Sequence, residues 1–207
     1  MRFWFPLIVA FHVTVIAAAS GRADGLYFTE QLGGSRVGGE LGHYFSGGFA
    51  GHIGLGYHLD GWALEGSVHF DELAGRGVFA GTSYEAISWG AGVRRLFPVS
   101  PWVRLYARGG LENVRINPTI WPDSPPLGDG YSGQAVTYGG GLMLSGRVPL
   151  IGFLFAPLFF TDIGPKVSAG AWLDVGDRLL DLRQERASDL DGFTRTFLIG
   201  FSIGGGF

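Results

Sequence analysis

Residues 193–207 read F-T-R-T-F-L-I-G-F-S-I-G-G-G-F, and counted back in twos from the end they separate cleanly. One set is Phe207, Gly205, Ile203, Phe201, Ile199 and Phe197; the other is Gly206, Gly204, Ser202, Gly200, Leu198 and Thr196. A period of two with bulky apolar groups on one side is a β-strand turned toward an apolar medium. The opposite face is almost entirely glycine and hydroxyl. A soluble sandwich would carry charge on its second face, whereas a barrel wall with lipid outside and a cramped polar lumen has this composition.

The same split recurs toward the N-terminus. Phe49, Ile53, Leu55 and Tyr57 alternate with Ala50, His52, Gly54, Gly56 and His58. Asp60-Gly61 follows, a hairpin turn signal between two alternating runs. The next strand sets Trp62, Leu64, Val68 and Phe70 against Ala63, Glu65, Ser67, His69 and Asp71. Further strands are expected at Ile87–Phe97, Val103–Glu112, Val136–Val148 and Val167–Arg178. A less regular first strand lies near Leu26–Val37. There the apolar parity changes from Leu26, Phe28 and Leu32 to Val37 and Leu41, and a β-bulge at Gly33-Gly34 accounts for the slip. The loops are read as Leu73–Ser83, Asn117–Gly133 and Leu179–Gly192. The fold class is therefore all-β, an eight-stranded antiparallel up-and-down transmembrane barrel. No strand is followed by an amphipathic helix, which excludes α/β architectures.

Composition supports this. Glycine supplies 37 of 207 residues, about 18% against an average near 7%. Charged residues are 16% and the net charge is −3, with no dense basic run, so nucleic acid is not an expected partner. The chain has no cysteine and hence no disulfide framework. Residues 1–23 read as a signal peptide: Arg2, an apolar run Phe3–Ala18, then Ala17-Ala18-Ala19 or Gly21-Arg22-Ala23, with cleavage between 19 and 23. Residues 24–207 form the barrel.

Which face is inside follows from size. Gly54, Gly56, Gly90, Gly92, Gly110, Gly139, Gly141, Gly170 and Gly200 share a face with the charges, and small residues belong in a narrow interior. Trp62, Trp89, Phe97, Phe201 and Phe207 suit lipid and its interfaces. Glu65, Arg94, Arg104, Arg108, Glu112, Arg147, Asp174 and Arg178 then lie inside and must pair with one another. Glu65 and Arg94, on adjacent strands at similar depth, are expected to form a structural lumen salt bridge.

The run G-L-G-Y-H-L-D-G-W-A-L-E-G at Gly54–Gly66 and the closing F-L-I-G-F-S-I-G-G-G-F resemble the small eight-stranded outer-membrane barrels of the OmpA/OmpX type. The resemblance implies the outer membrane of a Gram-negative bacterium, both termini in the periplasm and no peptidoglycan-binding domain after Phe207. It also implies outer-membrane lipid and lipopolysaccharide as surroundings, a monomer, and recognition by the barrel-assembly machinery. That assembly signal would be carried by Phe207, Ile203, Phe201 and Ile199; Gly205 departs from its pattern. Between the sixth and seventh strands the apolar stretch Val148–Pro165 stands where the family has a short turn. An extended strand with an interfacial loop is the expected reading, and a flap or docking patch the other.

For chemistry, Asp60-Gly61 as the turn makes His52 and His69 cross-strand neighbours with Asp71 close by. Two histidines and a carboxylate can bind zinc or copper, but polar filler of a small lumen is the expected reading. Arg104, Arg108 and Glu112 form an inward ladder that suggests an anion path, which eight strands leave little room for. Enzymes of this size class, acting on lipid A or phospholipid, carry a Ser/His/acid set at the lipid-facing rim, where no such set is read here. The expectation is thus a structural or surface-interaction barrel without cofactor, catalytic residue or assigned metal. A narrow solute channel is the alternative, and a lipid-modifying enzyme stands behind it.

Overall fold

A computed structural model of the chain describes residues 25–59, 61–118, 130–147, 168–183 and 190–204. The signal peptide, the stretch Val148–Pro165 and Phe207 lie outside the described residues. Eight strands run in chain order: β1 Leu26–Gly39, β2 Phe45–Leu59, β3 Trp62–Gly75, β4 Ser83–Pro98, β5 Val103–Pro118, β6 Tyr131–Arg147, β7 Ser168–Arg183 and β8 Leu190–Gly204. Each pairs antiparallel with its neighbours and β8 returns to β1, closing an eight-stranded up-and-down barrel. One end carries the short β2–β3 and β4–β5 connections and is called the hairpin end below. The other, the loop end, carries a one-turn helix α1, Leu41–Tyr44, and a 3-10 turn, Gly77–Phe79.

Register fixes the shape. Following Cα partners from Thr137 through Gly110, Gly92, Glu65, Gly56, Tyr27, Gly204 and Ser168 returns to β6 at Arg147, ten residues along the strand. At about 3.3 Å per residue and 4.7 Å between strands, that offset tilts the strands by roughly 40°. The interior of such a barrel is narrow. Gly92 and Gly110 are direct partners, and a Cβ on Gly92 would lie 2.7 Å from the Gly109 carbonyl oxygen. Only glycine permits that approach.

The β2–β3 hairpin pairs Leu59 with Trp62, with Gly61 at φ 81°. The expected bulge at Gly33-Gly34 is not there: β1 pairs with β8 without a break from Tyr27 to Gly39. The irregularity lies instead in β2, between Gly47 and Ala50. Val37 has the parity opposite to Leu32 simply because it points inward, against the buried apolar cluster at the loop end.

That cluster also explains why the strands outrun the expected loops. β3 continues to Gly75, β5 to Pro118, β6 begins at Tyr131, β7 continues to Arg183 and β8 begins at Leu190. In these extensions the two faces exchange character. Nearer the hairpin end the outward face is apolar, with Leu64, Val93, Leu111 and Ile199 exposed; half-buried Glu30, between its partners Ile53 and Phe201, interrupts it. Nearer the loop end Glu72, Asn113, Arg115, Gln134, Asp181 and Arg195 point outward. Inside, at that level, Leu41, Phe45, Leu73, Tyr84, Val114, Ile116, Tyr131, Leu180, Leu182 and Leu190 pack together. Phe45 anchors them, edge-on to Tyr84 at 4.9 Å and stacked on Phe79 at 5.8 Å. Burial there raises the Tyr84 and Tyr131 hydroxyls above the usual tyrosine range. An apolar inside with a polar outside is the pattern of a soluble barrel. Along β4 the belt runs from Phe97 to Ile87, broken near the hairpin end by Arg95, whose guanidinium lies over the Trp62 and Phe97 rings; this span rises about 25 Å at this tilt, the height of an outer-membrane hydrocarbon layer.

Candidate functional site

Between the apolar cluster at the loop end and a smaller one at the hairpin end (Leu96, Tyr106, Met143 and Trp172) lie the buried charges. Each is on the inward parity of its strand, so strand alternation alone places it.

Glu65 on β3 gathers three partners. Tyr27 donates its hydroxyl to Oε2 at 2.8 Å, Arg94 Nη2 donates to Oε1 at 3.1 Å, and His52 Nε2 lies 3.4 Å from Oε1. The Arg94 guanidinium sits over the rings of Trp172 at 4.3 Å and Tyr106 at 4.9 Å. Cation–π contact suits a buried arginine, because the ring faces supply negative potential without competing for protons. Asp174 on β7 accepts two bonds from Arg108, Nε at 2.9 Å and Nη2 at 2.7 Å, and a third from the Tyr106 hydroxyl. Nearer the loop end Arg178 reaches across the lumen to Asp71 and donates Nη1 to Ser88 Oγ at 3.3 Å. Ser88 in turn donates to Glu112 at 2.6 Å, and His69 Nδ1 lies 2.8 Å from the other Glu112 oxygen. His52 and His69, direct register partners, stack at 4.4 Å and join the two groups. A cavity of about 20 Å³ remains among His52, Glu65, His69, Arg94, Arg108 and Glu112, room for about one water.

Four buried carboxylates, Glu65, Asp71, Glu112 and Asp174, thus face three guanidiniums, Arg94, Arg108 and Arg178. Charges so far from water are tolerable only when paired and hydrogen-bonded; Glu65, Asp71 and Asp174 each meet an arginine, and Glu112 is held by Ser88 and His69. The candidate metal grouping of His52, His69 and Asp71 does not come together. His52 and His69 each turn to a separate glutamate while Asp71 faces Arg178, and among the described residues no cluster is arranged to hold a metal. Nor is Ser88–Glu112–His69 a nucleophile set. The carboxylate stands between serine and histidine, so the imidazole does not reach the hydroxyl as it does in a Ser-His-acid set.

Arg104 lies on the inward parity near the hairpin end, half-buried, and makes no ion pair among the described residues. The Arg147 side chain is outside the described set. Ile199, Phe201 and Ile203 share the outward face of β8. Sequence reading assigned no role to Tyr27, Ser88, Tyr106 or Trp172. Inward parity marks all four, but the hydrogen-bond partners of Tyr27, Ser88 and Tyr106 are 24 to 90 residues away, and no local spacing links them.

The family model for the outer membrane protein beta-barrel domain matches residues 4–144. Neisserial surface protein A is similar in fold, with a TM-score of 0.56 at 15% identity over 87% of this chain and 97% of that one. Ail, the attachment invasion locus protein of Yersinia pestis, aligns with a TM-score of 0.48 at 17% identity, over 87% of this chain and 98% of that one. No curated protein matches the chain.

Proposed function

Because the chain belongs to the outer membrane protein beta-barrel domain family, we propose that it serves the Gram-negative outer membrane as a structural and surface-interaction barrel, neither a pore nor an enzyme. The observation that carries this is the exchange of both faces at one level. Below it the barrel is built for lipid; above it the barrel is built as a water-soluble wall with a packed core. The loop end then stands clear of the outer leaflet, and the hairpin end and both termini face the periplasm. A rigid platform raised out of the membrane suits its loops to contact with partners. The ion-paired middle and the apolar cluster above it argue against solute passage, and the order Ser88–Glu112–His69 argues against acyl chemistry. Outer-membrane lipid and lipopolysaccharide surround the belt, the closing strand is the segment offered to the assembly machinery, and the barrel acts as a monomer.

The absence of cysteine makes topology easy to test. Val78 is 83% exposed at the loop end and Val99 63% exposed at the hairpin end. A membrane-impermeant maleimide added to intact cells is expected to label Val78→Cys and spare Val99→Cys until the envelope is opened. Labelling of Val99→Cys alone would reverse the topology and remove the proposal.

A further inference from the structure

Glu30 stands where a carboxylate is costly. It lies on the outward parity of β1, with Phe28 and Leu32 beside it on the strand and Ile53 and Phe201 as its register partners. No residue diagonal to it on that face is polar. A charge turned toward hydrocarbon destabilises a barrel unless it is paired or reaches an interface. This part of the belt is also covered. Phe28 points outward yet is 1% exposed, whereas its register partner Leu55 is 43% exposed and Leu32, farther along β1, 44%. Glu30 is half-buried. Both Phe28 and Glu30 have an interaction partner, and the strands beside Glu30 offer it nothing charged.

A cation must therefore reach this face from beyond the neighbouring strands. Arg36 shares the parity of Glu30 but lies six residues on, about 20 Å along β1. Among the basic residues outside the described ones, Arg186 belongs to the loop end, Lys166 leads into β7, two strands away, and Arg2 opens the leader. Arg22 leads into β1 itself. The chain enters that strand through Gly25, whose carbonyl oxygen accepts the His58 amide at 2.6 Å. The Gly25 φ of 96° is a left-handed conformation that lets the preceding residues turn back along the barrel wall. Glu30 lies five residues from Gly25, about 17 Å up the strand. The three residues from Arg22 to Gly25 span at most about 11 Å, and two long side chains extended toward each other cover the rest.

We infer that the outward face of β1 at Phe28 and Glu30 is the docking site of the mature N-terminus, with the stem of Arg22 laid over the Phe28 ring and its guanidinium paired with Glu30. A planar fork suits a carboxylate, and the methylenes of the same side chain suit an apolar floor. Arg22 reaches up from the periplasmic interface and Glu30 reaches down to it, so neither charge is stranded in hydrocarbon. The contact ties the first residues to the seam where β1 meets β8. It also decides the processing site. Cleavage after Gly21-Arg22-Ala23 would discard Arg22, so the cut falls after Ala17-Ala18-Ala19 and Ser20 is the first mature residue. The inference rests on reading residues 1–23 as a leader and the hairpin end as periplasmic.

The chain, exported with its leader and purified from outer membranes, would be sequenced from its N-terminus. The expected first residue is Ser20; Asp24 in its place would overturn the docking. Wild type, Arg22→Gln, Glu30→Gln and the double variant would then be unfolded by urea from lipid vesicles, with gel mobility before and after boiling verifying that each is folded. Arg22→Gln is expected to lower the folding equilibrium about tenfold or more, because Glu30 loses its partner. Once Glu30→Gln has removed the charge, the same change should shift it by about twofold or less. Equal effects of Arg22→Gln in the two backgrounds would overturn the pair. If Arg22→Gln fails to insert, outer-membrane yield gives the same comparison: recovery with Glu30→Gln supports the pair, and no recovery overturns it. Failure of the topology reading appears separately, in the labelling of Val78→Cys and Val99→Cys.

Discussion

Arg94 is fully buried, with one ion pair to Glu65 and a tyrosine and a tryptophan ring against its guanidinium. Two of its nitrogens, Nε and Nη1, have no hydrogen-bond partner among the described residues. Its charge is therefore held by few contacts, and Glu65 is the largest of them. Removing one member of a buried pair strands the other, at a cost of about 3–5 kcal/mol, whereas replacing both by apolar groups is often neutral. Glu65→Ala should therefore lower the urea midpoint of the folded barrel sharply, and Glu65→Leu with Arg94→Met should recover most of it. Equal midpoints for wild type and Glu65→Ala would show that the rings alone satisfy Arg94. Hairpin register makes His52 and His69 neighbours, and parity alone turns these groups inward. Asp71 shows where local reading stops. Sequence proximity groups it with the histidines, but its partner is Arg178, 107 residues away across the lumen, and no spacing along one strand encodes a contact through the middle of a barrel.

Among the elements, alternation locates every strand and misjudges where most of them end. The alternation reads bulky outward, small or polar inward. That rule fails at the loop end because water replaces lipid outside and the interior becomes a core of its own. Leu182 on β7 and Ile116 on β5 therefore look out of phase although their strands run on. The supposed bulge at Gly33-Gly34 was the same effect, seen at Val37. If the exchange marks the edge of the hydrocarbon, arginine will report it by position. Leu64→Arg, well within the belt, should cost about 2–4 kcal/mol in lipid-based unfolding, and Gln134→Arg, beyond it, about 0–1. Similar costs at both sites would deny that a lipid boundary lies between them. The core above the boundary should behave as any packed core does: Leu182→Ala is expected to lose about 2–5 kcal/mol, and a loss near zero would mean that it bears no load.

At the scale of the whole molecule, the shear of ten residues over eight strands makes the interior narrow, and among the described residues a cavity of about 20 Å³ lies between the charges. Closure joins β1 to β8, the chain's most distant strands, and pairing of that kind is slow because the loop must close before the contact stabilises it. Assisted assembly fits such a topology. Deleting Phe207 is expected to reduce outer-membrane yield more than Phe197→Ala does, and equal yields would remove the terminal residue from the assembly signal. A sealed, membrane-embedded wall, as proposed above, leaves no path for ions. Its most direct test is current through a planar lipid bilayer holding the purified, folded protein. The expected result is no steady conductance above that of the bare membrane. Stable unitary openings, abolished in a variant with a blocked lumen such as Ser67→Trp at the cavity wall, would contradict it.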